Sequence, residues 1–275
     1  MRVIKIGGNI VDNEQRLGVV LDACAAFEEP FVLVHGGGKI ATELAERLGV
    51  PQTMVDGRRI TDAETLRIAT MVYGGLINKA VVAGLQARGV QAVGLTGADG
   101  DLVRAHRRVH ALVDYAHVGD IDTVNIDYGF AGDIDTVNVN FLIMLLNGGY
   151  SVVCAPLTHD GAGSMLNTNA DTIAAELAVA LSSSVASPVA SSAASPANVE
   201  LIFAFEHAGL LRDVNDPLSG IASISRGEAA SLLAEGVITA GMLPKLENAF
   251  MAVERGVHRV RVTRYDMLDA GTTIR

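Results

Sequence analysis

At 275 residues, 49% of them apolar, the chain has material for one large domain or two small ones around a buried core. A formal net charge of -10 argues against non-specific nucleic-acid binding, which needs basic faces, yet leaves small anions open as ligands, because these need only a few well-placed Lys or Arg side chains. Cys24 and Cys154 sit in apolar runs and read as reduced, buried thiols. No apolar run approaches the ~20 residues that span a bilayer, so a soluble cytoplasmic protein without a signal peptide or membrane contact is expected.

The first expected strand, 2–6, runs into Val3-Ile4-Lys5-Ile6-Gly7-Gly8, and the second, 31–35, into His35-Gly36-Gly37-Gly38-Lys39. Two glycine-rich strand ends so close together suggest bare backbone N–H groups offered to an anion, with a lysine alongside; that is a phosphate-handling pattern. A helix over 39–48 follows, with Ile40, Leu44 and Leu48 on one stripe and Gly49 and Pro51 as its stop. Thr61-Asp62-Ala63-Glu64 reads as a capping box opening a long helix towards Arg88, ended by Gly89. A strand at 90–95 precedes a tandem echo: residues 114–126 are restated at 127–139, read here as a lengthened surface hairpin.

Further on come a strand at 150–155, an alanine-rich helix from Asp171 to Leu181, strands at 199–205 and 258–263, and a helix from Leu246 to Arg255 stopped at Gly256. The uncharged Ser/Ala/Pro stretch 182–198 reads as a flexible loop between two halves, 1–181 and 199–275. Alternating strands and helices predict an α/β fold with a mainly parallel sheet covered on both faces, and ligands beyond the carboxyl ends of the strands.

Neither common nucleotide fingerprint is present. Ile40 stands where a P-loop needs Ser or Thr, and position 41 is not the glycine of a dinucleotide-binding turn. Two more segments carry polar residues: Leu166-Asn167-Thr168-Asn169-Ala170-Asp171 and Gly241-Met242-Leu243-Pro244-Lys245-Leu246-Glu247-Asn248-Ala249. Singly, Asn169 is an ordinary N-cap, Asp171 an ordinary first-turn acid, and Lys245 and Arg59 ordinary surface charges.

Together with Lys5-Ile6-Gly7-Gly8 and His35-Gly36-Gly37-Gly38, these segments resemble the amino acid kinase family, in order, from Val3 to Ile274, and within it the branch acting on N-acetyl-L-glutamate. The resemblance implies a three-layer αβα sandwich whose N-terminal part, 1–181, binds the amino acid and forms a homodimer, while 199–275 binds ATP. It implies transfer of the γ-phosphoryl group of ATP to the side-chain carboxylate of the acylated amino acid, on the route to arginine. A carboxylate is already a nucleophile, so the task is to bring two anions together and spread the charge of the transferred group. By resemblance Lys5 and Lys245 flank that group and Asp171 positions both. Gly7, Gly8, Gly37 and Gly38 supply backbone donors, and Arg59 and Asn167 hold the substrate. The ATP residues implied are Glu206, His207, Ala208, Gly209, Leu210, Leu211, Val237, Gly241 and Lys245, with Mg2+ riding on the nucleotide phosphates. The 205–210 segment departs from the family's usual Ser/Thr-Asp-Val-x-Gly-Val pattern.

Tyr73-Gly74-Gly75 and Asp127-Tyr128-Gly129-Phe130 resemble a bacterial subgroup in which the acyl group is succinyl, and the echo hairpin is expected to act as a lid over the acyl pocket. The chain starts almost at its first strand, without the N-terminal helix of arginine-inhibited hexameric relatives, so a dimer without arginine feedback is expected. Among rivals, aspartokinases open Lys-Phe-Gly-Gly-Thr/Ser, and nucleoside monophosphate kinases of the fold lack the Asn167–Asp171 pattern. A non-catalytic regulator would have no need of two phosphoryl-facing lysines.

Overall fold

The computed structural model describes residues 1–55, 58–108, 111–113, 124–184, 198–213, 216, 219–238 and 242–275. In chain order, β1 (Arg2–Ile6) leads through α1 (Gly8–Val11) and α2 (Glu14–Ala25) to β2 (Val32–His35) and α3 (Gly38–Arg47). A short ribbon, β3 (Met54–Val55) with β4 (Arg58–Arg59), precedes α4 (Ala63–Ala69), which continues through a π-helical stretch (Thr70–Ile77) into α5 (Asn78–Gln86). Next come β5 (Ala92–Leu95), β6 (Val103–Arg107), β7 (Ala111–Val113), β8 (Val124–Ile126), β9 (Gly132–Val137) and α6 (Val139–Asn147). They are followed by β10 (Ser151–Cys154), β11 (Leu157–His159), β12 (Met165–Asn167) and α7 (Ala170–Ser184). The chain finishes with β13 (Glu200–Phe205), β14 (Ser223–Ile224), α8 (Arg226–Ala234), α9 (Leu243–Glu254), β15 (Arg259–Arg264) and β16 (Thr272–Ile274).

Eight strands form one sheet in the order β14-β16-β15-β13-β1-β2-β10-β5, parallel throughout except for β15 against β16. The six strands expected from sequence are its six longer members. Their side chains alternate between two cores, as strand geometry demands. Val3, Val34, Leu201 and Phe203 join α6, α7 and α9 on one face, and Ile4, Ile6, Leu33 and Ile202 join α2, α3, α4 and α5 on the other. Three layers result, an αβα sandwich. Each fully buried Val, Leu or Ile contributes roughly 1.5–3 kcal/mol.

The same parity sorts the polar residues. Lys5, in step with Val3, faces α7, and Phe205, in step with Phe203, faces the same way; His35 pairs with Ile6 and faces α5 instead. The sheet runs unbroken from β1 to β13, so the two regions on either side of 182–198 share it. That stretch starts as the last turn of α7, and 185–197 lie outside the described residues.

Several expectations need correcting. The cap of α4 is Asp62, whose side chain accepts from Thr65 N at 2.7 Å. Thr61 is occupied elsewhere: its hydroxyl donates to Arg59 O and accepts from Asn167, and its backbone pairs with Tyr128 and Phe130. The helix 63–86 is long and apolar enough, by length and composition, to cross a membrane, which a search for unbroken apolar runs passed over. Here it lies in the core, burying Ile68, Val72, Tyr73, Ile77, Val81 and Leu85. The echo is not simply a surface hairpin. Its second copy supplies β9, which pairs with β6 in a four-stranded sheet, β12-β11-β6-β9, absent from the sequence reading. Of the first copy, β8 pairs with β7, and 114–123, where a lid was expected, lie outside the described residues.

Helix α5 lies so close to β5 that a Cβ on Gly94 would fall 2.1 Å from Asn78 Oδ1 and 2.8 Å from Val82 Cγ2, whereas one on Gly75 meets nothing within 4 Å. Gly94→Ala should therefore cost about 1–3 kcal/mol through overpacking. Gly75→Ala should gain about 0.5–1 kcal/mol by removing a helix-interior glycine. Urea-unfolding midpoints of the two variants check both; an unshifted midpoint for Gly94→Ala would contradict the packing described.

Candidate active site

Lys5 lies near the carboxyl end of β1 and is only 6% exposed. A lone ammonium so buried would cost several kcal/mol, and it is offset by Asp171, 8% exposed, whose Oδ1 forms an ion pair with Lys5 Nζ at 2.8 Å. Asp171 occupies the first turn of α7, where the helix dipole favours a carboxylate. Asn169 holds that turn in place, its Oδ1 accepting from Asp171 N at 2.7 Å and Thr172 N at 3.3 Å.

Lys245 reaches the same place from α9. Its Nζ lies 4.2 Å from the centroid of the Phe205 ring, and Lys5 Nζ lies 5.0 Å from that centroid. Partial burial pulls the Lys245 pKa below the ordinary lysine value, and the charge of Lys5 pulls it further; Asp171 and Glu206 oppose both. Two cations are thus held over one aromatic ring, an arrangement that favours an incoming anion.

The glycine loops meet beside them. Gly36 N donates to Ile6 O at 2.9 Å, and a Cβ on Gly36 would sit 2.9 Å from Gly8 N, so only bare backbone permits this approach. Gly37 has φ 154°, and a Cβ there would strike Ile77 Cδ1 at 2.2 Å. Helices α1 and α3 start at these loops without side-chain caps. Among the described residues, the amides of Gly8, Gly37 and Gly38 donate to no backbone acceptor. Free donors at helix starts are a ready anion site.

A cavity of 250 Å³ opens beside the loops, lined by Lys5, Gly36, Gly37, Gly38, Arg59, Tyr73, Arg108, Gly132, Asp133, Asn167, Thr168 and Asp171 among others. Arg59, delivered by β4, is braced: its guanidinium donates to Gln52 Oε1, to Gly38 O at 3.1 Å and to Thr42 Oγ1 at 2.8 Å. Burial raises the Tyr73 pKa, and the neighbouring Arg59 charge opposes the rise. Asn167 donates to Thr61 Oγ1 at 3.0 Å. Arg108 pairs with Asp133 and lies 5.7 Å from the Tyr128 ring centroid.

Of the residues singled out in sequence, Lys5, Gly37, Gly38, Arg59, Asn167 and Asp171 line this cavity. Gly7 and Gly8 lie against its glycine wall, and Lys245 adjoins through Phe205. The stretch Glu206–Leu211 and Val237 do not line it. Leu210 is core: it is buried, and its N–H donates to Thr272 Oγ1 at 2.8 Å. A Cβ on Gly209 would sit 2.6 Å from the same oxygen. His207 is exposed, and Gly241 lies outside the described residues. The cavity residues Arg108, Gly132 and Asp133 escaped the sequence reading, in which Tyr73 and Thr168 appeared only within longer segments and without a role; the second echo copy, which holds Gly132 and Asp133, was the available signal.

Comparison with known proteins gives a consistent picture. A model of the amino acid kinase family matches residues 1–185. A Bacteroides fragilis protein named acetylglutamate kinase is 48% identical over 277 residues, covering 100% of this chain and 97% of that protein. The crystal structure of smu.665 from Streptococcus mutans superposes with a TM-score of 0.73 at 28% identity, covering 99% of this chain and 97% of that one. An N-acetylglutamate synthase from Neisseria gonorrhoeae, complexed with coenzyme A and N-acetyl-glutamate, shares the fold: TM-score 0.75, 22% identity, 99% of this chain and 58% of that one.

His35, fully buried behind the glycine wall, has its pKa pushed down to about 4, chiefly by burial. The folded state thus binds this proton less readily than the unfolded chain, whose histidine titrates near ~6.5. Its contribution to stability is complete above that value and drains away as the pH falls towards about 4. Unfolding free energy should therefore drop between pH 7.5 and 4.5 more steeply, by up to about 3 kcal/mol, in the wild type than in His35→Asn. Urea titrations at both pH values measure this, and parallel slopes would refute it.

Proposed function

The chain belongs to the amino acid kinase family and is a kinase, and from that premise we propose that it phosphorylates the side-chain carboxylate of N-acetyl-L-glutamate with ATP. Relatives 48% identical over the whole chain carry the corresponding name. The observation that carries the reading is the convergence of Lys5 and Lys245 over Phe205, beside uncapped glycine amides and a cavity holding Arg59 and Asn167.

In this reading the substrate's side-chain carboxylate attacks the γ-phosphorus in line. A carboxylate–phosphorus bond forms, the bond to the bridging oxygen breaks, and that oxygen leaves with ADP. No proton has to be removed, so no general base is assigned. Lys5 and Lys245 neutralise charge gathering on the transferred group, with Asp171 fixing Lys5. The amides of Gly8, Gly37 and Gly38 donate to the phosphoryl oxygens and the substrate. Arg59 holds the α-carboxylate as a braced fork, with Asn167 beside it. The nucleotide lies over the carboxyl ends of β13 and β15, near Lys245 and Glu206. Among the described residues no group of three or more His, Cys, Asp or Glu side chains is placed to cage a metal. In this reading Mg2+ enters with the nucleotide phosphates and keeps several waters. The reading includes a cytoplasmic homodimer, for which Met71 and Leu76, exposed on the helix 63–86, supply apolar surface on the N-terminal half.

A second reading, N-succinyl-L-glutamate as substrate, is favoured by Arg108. This further arginine lines the cavity on the side opened by β9 and would pair with a carboxylate at the end of the acyl group.

Lys5→Ala and Lys245→Ala should each lower kcat by at least ~100-fold, the scale of losing one preorganised transition-state donor; unchanged turnover in both removes their assigned roles. Arg59→Ala should raise the KM for the acylated amino acid ~10–100-fold, as loss of a charged hydrogen bond does, with the KM for ATP unmoved. ADP release with N-acetyl- or N-succinyl-glutamate, with glutamate, aspartate and UMP as controls, tests the substrate; turnover on a control alone sinks both readings.

A further inference from the structure

Among the described residues His35 is the one histidine with no exposed surface, and the reaction as written makes no use of it. It lies on the sheet face opposite Lys5, beneath the Gly36-Gly37-Gly38 turn, and cannot touch substrate. Its Nδ1 is 2.8 Å from the carbonyl oxygen of Gly36. Its Nε2 is 3.4 Å from Asn78 Nδ2, which also donates to Val153 O at 3.0 Å. Asn78 cannot turn its oxygen towards the ring, because Oδ1 accepts from Lys79 Nζ at 2.9 Å, and Lys79 is itself tied to Gly94 O at 2.9 Å. Nε2 therefore faces a donor and must accept, which puts the ring proton on Nδ1, where it is given to the Gly36 carbonyl.

That bond has a geometric consequence. A trans peptide is planar, so its carbonyl and N–H point in opposite directions. With the Gly36 carbonyl drawn down onto His35, the Gly37 N–H must point up, towards the cavity. The peptide needs such an anchor because it joins two glycines, and rotating it about its neighbours meets little steric resistance. The amide before it is held by Ile6 O, and the carbonyl after it by Ala41 N at 3.2 Å. Among the described residues no backbone amide donates to the Gly36 carbonyl itself. His35 is its anchor.

We propose that His35 is a positioning residue for phosphoryl transfer: through the Gly36 carbonyl it aims the Gly37 N–H at the migrating phosphoryl group, with Lys79 and Asn78 fixing its tautomer from behind. The inference rests on the kinase reading above and adds a residue to it. Burial supports it by keeping the ring uncharged, with Lys79 the charged group facing it.

Three measurements on the full-length protein test this. In 15N-histidine-labelled wild type at pH 7, the ring shifts of His35 should report a neutral ring protonated at Nδ1; an Nε2-protonated ring or an imidazolium overturns the proposal with no variant needed. His35→Leu removes the donor at similar volume, and His35→Asn keeps an amide donor near the Nδ1 position. The Leu variant should lose at least ~10-fold in kcat with both KM values within about threefold of wild type, and the Asn variant should recover to within about threefold of wild-type kcat. Wild-type kcat in the Leu variant, an equal loss in both, or a loss confined to KM overturns it. Should His35→Leu fail to fold, Asn78→Asp serves: an acceptor facing Nε2 draws the proton off Nδ1, so kcat should fall with His35 in place, and an unchanged kcat overturns the proposal. A wild-type protein inactive on every acylated amino acid would instead bring down the kinase reading, and this inference with it.

Discussion

Parallel pairing of β1 with β2 on one side and β13 on the other is the constraint from which the site follows. The register matches Ile6 with His35 and with Ala204, so three strand ends stop at one edge of the sheet. Parity then decides what each residue can do. Lys5 and Phe205 project towards α7, where Asp171 waits, and His35 projects to the opposite core. A one-residue slip of β1 would send the Lys5 ammonium into the apolar layer of Ile4 and Ile6, without a counter-charge, and the cost of that burial keeps the register fixed. The apolar core holds the chemistry in place; it does not merely surround it.

The electrostatics of the site follow from that placement. Lys5 is matched by Asp171, while Lys245 is held over the same ring, where burial first and the charge of Lys5 second loosen its hold on its proton. A chain of net charge -10 thus keeps a local cationic spot next to uncompensated backbone donors. A dianionic group entering there relieves the repulsion between the lysines, which is why the arrangement suits binding of charge in transit better than storage of a structural ion pair.

Much of this was legible in the sequence, and the exceptions have physical causes. Strands such as Val32–His35 and Ser151–Cys154 are buried on both faces, so they read as continuous apolar runs bounded by turns. The second sheet was missed because its strands carry exposed charge: Val103–Arg107 holds two arginines and a histidine, and Gly132–Val137 holds two aspartates. Nothing in Thr70–Ile77 announces a π-helical stretch, yet that stretch sets both Tyr73 and Ile77 against Gly37, so the place of Tyr73 in the cavity wall could not be read from helical spacing. Thr61 looked like a cap because its hydroxyl could serve as one; the tertiary partner Asn167 claimed it. Proximity of Lys5, Asp171 and Lys245 could be expected only from family resemblance, since no spacing rule links residues so far apart in the chain.

The echo leaves a question of selection for the folding chain. Gly119 to Asn125 and Gly132 to Asn138 are identical letter for letter; the second stretch supplies β9, which pairs with β6, and among the described residues of the first, Val124 and Asn125 belong to β8, which pairs with β7. To β6 the two are chemically the same partner, so discrimination has to come from the flanks: Ala131, bridged to Asn167, on one side, and Asn138, whose side chain caps α6 by accepting from Phe141 N, on the other. A nascent polypeptide exposes the earlier copy first. Fidelity at this edge of the cavity is therefore settled by competition between twins, and a substitution made in one of them alone breaks the tie.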